Sequence, residues 1–185
     1  MSQSLIKPIC DVLLALFALL LALPVLLLCG LLILCVDQHN PLFLQPRLGL
    51  CKKTFVIIKL RTMKHAQVTT LGRILRKTGI DELPQLLNII CLQMSFVGPR
   101  PLTQADVSRL GWDDGWHAQR WQVRPGIAGL AQLAPICHKK VSWALDKKYL
   151  ACHSVAMDLK ILLATAAVLL VGKKQVSHWF YANRS

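Results

Sequence analysis

VLLALFALLLALPVLLLCGLLILCV, residues Val12 to Val36, is a run of 25 residues without a charged or strongly polar side chain. As a straight helix it would measure roughly 37 Å at ~1.5 Å per residue, enough to cross a bilayer hydrocarbon core of ~30 Å. It is too long for the apolar centre of a cleaved signal peptide, and no small-residue cleavage site follows it. A permanent membrane anchor is expected. Pro24 sits at its centre, with Gly30 further on. A proline inside a helix removes a hydrogen bond and crowds the preceding turn, which predicts a bend near Leu23-Pro24. Two topologies follow: a kinked helix that still spans, or a sharply bent one that returns to the face it entered.

Working outward, residues 1–36 hold one lysine and one aspartate, Lys7 and Asp11, so the formal charge of +13 belongs to residues 37–185. A basic region beside a membrane segment favours the cytoplasmic side and contact with anionic lipid head groups. The doublets Lys52-Lys53, Lys139-Lys140, Lys147-Lys148 and Lys173-Lys174 fit that reading, although as isolated features such doublets are more often plain solvated surface. At 185 residues the chain has room for one compact domain and little more. Seven scattered cysteines, none in C-x-x-C spacing, read as small apolar filler in a reducing compartment. Cys137-His138 and Cys152-His153 match no common zinc pattern.

Beyond the anchor, Thr54 to Arg61 (TFVIIKLR) is rich in β-branched residues and predicts a strand. Period two places Phe55, Ile57, Lys59 and Arg61 on one face and Val56, Ile58 and Leu60 on the other. Two cations thus extend one face, as a phosphate contact or a plain solvated strand end would. Leu71 to Lys77 predicts a basic helix. Asp81 is expected to cap the next helix, with Pro84 in its first turn. Residues 98–101 and 123–129 are broken by proline and glycine and are expected to be loops. From Val141, Leu145, Tyr149, Cys152, Val155 and Leu159 recur at helical spacing. Ile161 to Val171 is too short to span and reads as a buried or interfacial helix. Trp112, Trp116, Trp121, Trp143 and Trp179 suit a membrane-surface rim or a core. The chain is therefore expected to be mainly α with a short β element.

The candidate chemistry lies in three places. Asp81-Glu82 is an adjacent acidic pair in a chain with nine carboxylate side chains against 22 lysines and arginines, and Glu82 is its single glutamate. Such pairs at helix starts commonly serve as caps and dipole partners. In Gly98-Pro99-Arg100-Pro101, however, an arginine is framed by two rings that donate no backbone hydrogen bond. Its guanidinium is displayed with little entropy left to lose, as bidentate phosphate binding requires. Arg124 in Val123-Arg124-Pro125-Gly126-Ile127-Ala128-Gly129 is again an arginine beside a proline in a glycine-rich loop, and Lys59 with Arg61 adds a third cationic element. No Ser-His-Asp set, P-loop or G-x-G-x-x-G occurs.

Four ordered segments, KLRTM at 59–63, LRKTGIDELPQLLN at 75–88, MSFVGPRP at 94–101 and VRPGIAGLAQ at 123–132, closely resemble the bacterial sugar transferases. These are small monotopic phosphoglycosyl transferases acting on polyprenol phosphate. The resemblance covers nearly the whole chain and implies a re-entrant membrane helix over 1–36, broken at Pro24. It also implies a small membrane-surface α/β catalytic domain over 37–185 with interfacial amphipathic helices, on the cytoplasmic face of the bacterial inner membrane. The implied reaction moves a sugar-1-phosphate from a UDP-sugar to undecaprenyl phosphate and releases UMP, as the first membrane step of glycoconjugate synthesis. By the resemblance, Asp81 is the nucleophile of a covalent aspartyl intermediate, Glu82 completes the dyad, and Mg2+ assists there. Arg100, Lys59, Arg61 and Arg124 are the expected phosphate and substrate contacts, and nucleic acid is not an expected partner. Glu82 could bind metal or manage a proton on the acceptor phosphate.

The chain departs from the family's usual pattern at Leu23, where a serine precedes the proline, and at Lys52, which closes a usual Gly-x-x-Gly. Leu92-Gln93 replaces a Gly-acidic pair, and only His138 and Lys139 lie near the place of a usual arginine. Two alternatives stand beside the transferase: a non-catalytic, membrane-bound basic protein, motivated by the charge alone, and a glycosyl transferase that releases UDP.

Overall fold

The computed structural model describes residues 6–134 and 138–176. Helices dominate the described residues, joined by three two-stranded sheets. The β content is thus spread over more pairs than the single strand that propensity picks out. The chain divides into two compact units, Met1–Pro46 with Val56–Leu92, and Arg47–Phe55 with Gln93–Ser185.

In the first unit, helix α1 (Ile6–Leu32) stays helical through Pro24 and continues as a π-helical turn, Ile33–Asp37. The stretch Ile6–Asp37 is long and apolar enough to cross a membrane. Along α1 proper only Ala15 and Cys29 are buried, while Leu13, Phe17, Leu20, Leu21, Leu27 and Leu28 face outward. So much outward apolar surface on one helix is compatible with lipid rather than water as its solvent. Its later turns are anchored by protein: Leu26, Cys29 and Ile33 cluster with Leu60, Leu71, Leu75 and Ile80. The helix that reads as a membrane segment therefore shares a core with the residue next to Asp81.

Strands β1 (Leu42–Leu48) and β2 (Thr54–Leu60) pair, and β2 follows the predicted strand. Its alternation holds at Phe55 and Ile57 but fails at the end, where Leu60, from the opposite set, is buried by the α1 cluster. A short antiparallel hairpin follows, β3 (Met63–Lys64) with β4 (Gln67–Val68). Helix α2 (Thr70–Thr78) is capped by Thr69, whose hydroxyl accepts from the Gly72 N–H at 2.9 Å, and it ends on Gly79 at φ 72°. A Cβ at Gly72 would lie 2.2 Å from the Thr62 carbonyl oxygen, so the helix crosses that strand end at backbone contact. A 3-10 turn, Ile80–Gln85, then leads into α3 (Leu86–Ile90).

In the second unit, β5 (Ser95–Val97) lies parallel to β6 (Gly126–Ala128), with Ser95 opposite Gly126 and Val97 opposite Ala128. Residues 126–128, expected to be loop, are thus a strand. Their partner is distant in sequence, which local composition cannot show. Helix α4 (Gln104–Leu110) begins with a complete capping box, Thr103 and Asp106 bonding each other's backbone N–H. The helical spacing after Val141 is divided into α5 (Lys139–Cys152) and α6 (Val155–Val171), because Ser154 caps a new helix by accepting from the Met157 N–H. One core joins Val97, Ala128, Leu130, Leu133, Tyr149 and Ile161; another joins Leu48, Leu102, Val107, Trp112 and Trp121. Trp112 and Trp121 are therefore core residues, whereas Trp116 is exposed. Of the six described cysteines Cys29 is buried, Cys10 and Cys35 lie on the apolar stretch Ile6–Asp37, and Cys51, Cys91 and Cys152 are exposed, against the filler reading for those three. Cys137 and Trp179 lie outside the described residues.

Candidate active site

Asp81 and Glu82 sit in the first turn of Ile80–Gln85. Asp81 is not a helix cap. Gly79 holds the cap position in left-handed backbone, with no side-chain cap hydrogen bond. Asp81 is thus free of the capping duty that most such pairs perform. Burial, and then the charge on Glu82, push its carboxyl up from the ordinary aspartate value; Lys59, Arg76 and a backbone hydrogen bond draw it back.

Two devices place cations beside this pair. Lys59 Nζ lies 2.6 Å from Glu82 Oε1 in a half-buried ion pair. Its register is set by Asn88, whose side-chain amide donates to the Val56 carbonyl at 2.8 Å and accepts from the Ile58 N–H at 3.1 Å. Asn88 thereby acts as a short strand against the edge of β2 and fixes the acidic turn to it. Arg76 is aimed by Thr62, whose hydroxyl accepts from its Nε at 2.8 Å. Arg61, expected with Lys59, is directed elsewhere: Nε donates to the Asn40 carbonyl at 2.8 Å and Nη2 to that of Leu42 at 3.1 Å. Neither Asn88 nor Arg76 is singled out by reading the sequence alone. A polar residue within the apolar LLNII run was the available signal for Asn88.

The arginine loops are built in the second unit. Gly98 donates to the Ala128 carbonyl at 2.9 Å, and Gly126 to that of Pro99 at 3.0 Å. A Cβ at Gly98 would lie 2.4 Å from the Arg124 carbonyl, and one at Gly126 would lie 2.1 Å from the Gly98 nitrogen. The two glycines let the Arg100 and Arg124 loops lie in backbone contact. Arg100 is exposed and Arg124 half-buried. Arg47 Nη1 donates to the Pro101 carbonyl at 3.1 Å and pairs with Asp106 at 3.4 Å. Burial draws the Arg47 guanidinium's pKa down, Asp106 opposes this, and the charge of Arg100 adds to it. Arg120 is paired at 2.9 Å with Asp146, and both are buried. Burial pushes the Asp146 carboxyl up, and Arg120 pulls it back.

No group of three or more histidine, cysteine or acidic side chains suited to a metal occurs among the described residues. Two adjacent carboxylates nevertheless suit a hard divalent cation that takes its remaining oxygens from substrate phosphates and water, the usual habit of magnesium.

The family model described as bacterial sugar transferase matches residues 2–172. The chain is 39% identical to the UDP-glucose:undecaprenyl-phosphate glucose-1-phosphate transferase of Caulobacter vibrioides, over 89% of this chain and 69% of that one. It is 34% identical to the exopolysaccharide production protein PSS of Rhizobium leguminosarum, over 84% and 90% respectively. It is 32% identical to an Aeromonas hydrophila UDP-N-acetylgalactosamine-undecaprenyl-phosphate N-acetylgalactosaminephosphotransferase, over 88% of this chain and 43% of that one. With the family model covering most of its length, the chain belongs to the bacterial sugar transferase family and is a transferase.

Proposed function

We propose that this chain transfers a sugar-1-phosphate from a UDP-sugar to undecaprenyl phosphate and releases UMP, through a covalent intermediate on Asp81. The supporting observation is a half-buried aspartate with no capping role, beside a glutamate neutralised by Lys59. In the first step an Asp81 carboxylate oxygen attacks the phosphorus that carries the sugar. The bond from that phosphorus to the bridging oxygen breaks, and its electron pair leaves with UMP. In the second step a phosphate oxygen of undecaprenyl phosphate attacks the same phosphorus and the Asp81–phosphorus bond breaks, restoring the carboxylate. One hard displacement becomes two easier ones.

Asp81 and Glu82 would hold Mg2+, whose chemistry is to neutralise phosphate charge as an anionic nucleophile approaches an anionic target. Lys59 holds Glu82 and keeps a positive charge beside the pair. Arg100 and Arg124 are proposed ligands of phosphate oxygens, with Arg100 the stronger candidate because it is exposed on a loop with fixed backbone. Arg61 contributes by fixing the start of β1. The anchor over residues 1–36 is proposed to re-enter the cytoplasmic face, with the basic remainder against anionic lipid. The relatives' names differ in sugar at similar identity, so the donor hexose and the glycan are left to a screen of UDP-sugars.

The test is direct. Full-length protein with Mg2+, a panel of UDP-sugars and undecaprenyl phosphate should release UMP, and the Asp81 peptide should carry a sugar-phosphate mass when acceptor is omitted. Asp81→Asn should lose both while still sedimenting with membranes. Release of UDP without an adduct would identify a plain glycosyl transferase, and wild-type turnover in Asp81→Asn would end the nucleophile assignment. Labelling of a cysteine placed near the N-terminus by an impermeant reagent on intact cells would show a spanning helix.

A further inference from the structure

We infer that Arg120 and Asp146 form a positioning pair for Arg100, acting through the main chain of the loop that carries it. The catalytic consequence rests on the reading of Arg100 as a phosphate ligand; the positioning itself does not. Pro99 and Pro101 have no N–H, so the loop on either side of Arg100 can be held mainly by its carbonyls. Those carbonyls are taken in succession by two arginines. Arg120 Nη2 donates to the Arg100 carbonyl at 2.5 Å, and Arg47 Nη1 to that of Pro101 at 3.1 Å.

Arg120 is only 3% exposed, which removes it from direct contact with substrate and leaves an indirect role. Its orientation is fixed on every side. Nε donates to Asp146 Oδ2 at 2.9 Å, and the guanidinium carbon lies 5.5 Å from the Trp112 ring centroid and 5.2 Å from that of Trp121. A buried ion pair contributes little net stability relative to well-packed apolar residues. What it supplies here is direction: a planar fork that bonds a carboxylate with one nitrogen and a chosen carbonyl with another. A lysine can keep the charge and the pairing with Asp146 but cannot reproduce both bonds in that plane. With its backbone held, Arg100 has only side-chain rotamers left to order when it meets an anion.

The experiment uses the full chain in lipid nanodiscs, with Arg120→Lys, Asp146→Asn, Arg100→Ala and the double variant Arg100→Ala/Arg120→Lys. Amide hydrogen exchange is read over the Gly98–Thr103 segment, and UDP with Mg2+ serves as the binding probe. Arg120→Lys should exchange roughly tenfold faster across Gly98–Thr103, as expected for losing one charge-assisted hydrogen bond, and be unchanged over Leu86–Ile90. It should weaken UDP binding roughly tenfold, and the double variant should bind no more weakly than Arg100→Ala. Unchanged exchange over Gly98–Thr103 would overturn the inference, as would independent, additive losses of UDP affinity. Faster exchange together with UDP binding indifferent to Arg100→Ala would uphold the positioning and remove the phosphate role from Arg100. If Asp146→Asn fails to fold, Arg120→Lys, which retains the buried charge, decides the matter.

Discussion

The acidic turn at Ile80–Gln85 and the paired loops around Gly98 and Gly126 are built by opposite means. The turn is held by charge and hydrogen bonds: Lys59 on Glu82, Arg76 on Thr62, Asn88 on β2. The loops are brought into backbone contact by the absence of side chains at two glycines. The first arrangement depends on its polar partners being kept. The second has no room for a methyl group at either glycine. The two regions are thus held by different physics, and substitutions should separate them.

The largest expected effect is steric. Gly126→Ala puts a Cβ 2.1 Å from the Gly98 backbone nitrogen, where the neighbour is main chain and cannot swing aside. Overpacking of this kind costs about 3 kcal/mol or more, so denaturant unfolding should show a large loss or the protein should fail to accumulate. Asp81→Asn is the matching control: it preserves volume and removes a like charge beside Glu82, so its midpoint should equal or exceed wild type. A Gly126→Ala protein of wild-type stability would break the comparison at its root.

Next comes Asn88→Ala, which strips the Val56 carbonyl and the Ile58 N–H of a shared partner. Unsatisfied groups of this sort cost about 1–3 kcal/mol each. A thermal midpoint within a degree of wild type would show that hydrogen bonding is not what holds the turn to β2.

What was legible in the sequence is what is local in it. The apolar run of 12–36, the strand around Ile57 and the acidic pair are local patterns, and a single pass along the chain finds them. Parallel pairing of β5 with β6 was not legible, since Gly126-Ile127-Ala128 has no strand signature without its distant partner. Arg120 and Asp146 were also missed. A weak signal existed: Asp146 stands three residues before Tyr149 on the buried face of α5, between an apolar Leu145 and two lysines. A single acid on such a face asks for a buried cation, but nothing in the sequence names which of 22 it is.

A pH titration tests whether the second region is purely steric. Burial raises the Asp106 carboxyl's pKa, but hydrogen bonds from Thr103 and Arg109 and the charge of Arg47 outweigh it, leaving the group below its ordinary value. A depressed folded-state pKa contributes stability that is present above the ordinary carboxylate range and lost as pH falls through the folded value. Wild type should therefore lose thermal stability between about pH 5 and pH 3 more steeply than Asp106→Asn. Equal slopes would mean that acid leaves the Arg47 contact to the Pro101 loop untouched.

The smallest effects sit at two residues where the family usually carries glycine. Leu92 and Lys52 both adopt left-handed backbone, at φ 58° each. For a side chain bearing a Cβ that conformation costs about 1–2 kcal/mol, while a glycine adds about 0.4–1 kcal/mol of unfolded-state entropy. Leu92→Gly should therefore gain about 0.5–1 kcal/mol net. Lys52→Gly starts from the same relief but loses an ion pair to Asp113 at 3.5 Å and a contact over the Trp121 ring at 5.7 Å. The pair is more than a third exposed on both sides, so solvent discounts it, and the ring contact contributes about 0.5 kcal/mol. The two terms nearly cancel at Lys52 and do not at Leu92. Parallel denaturant curves should then place Leu92→Gly above wild type and Lys52→Gly level with it. A Lys52→Gly protein as stable as Leu92→Gly would mean that the lysine's contacts to Asp113 and Trp121 contribute nothing.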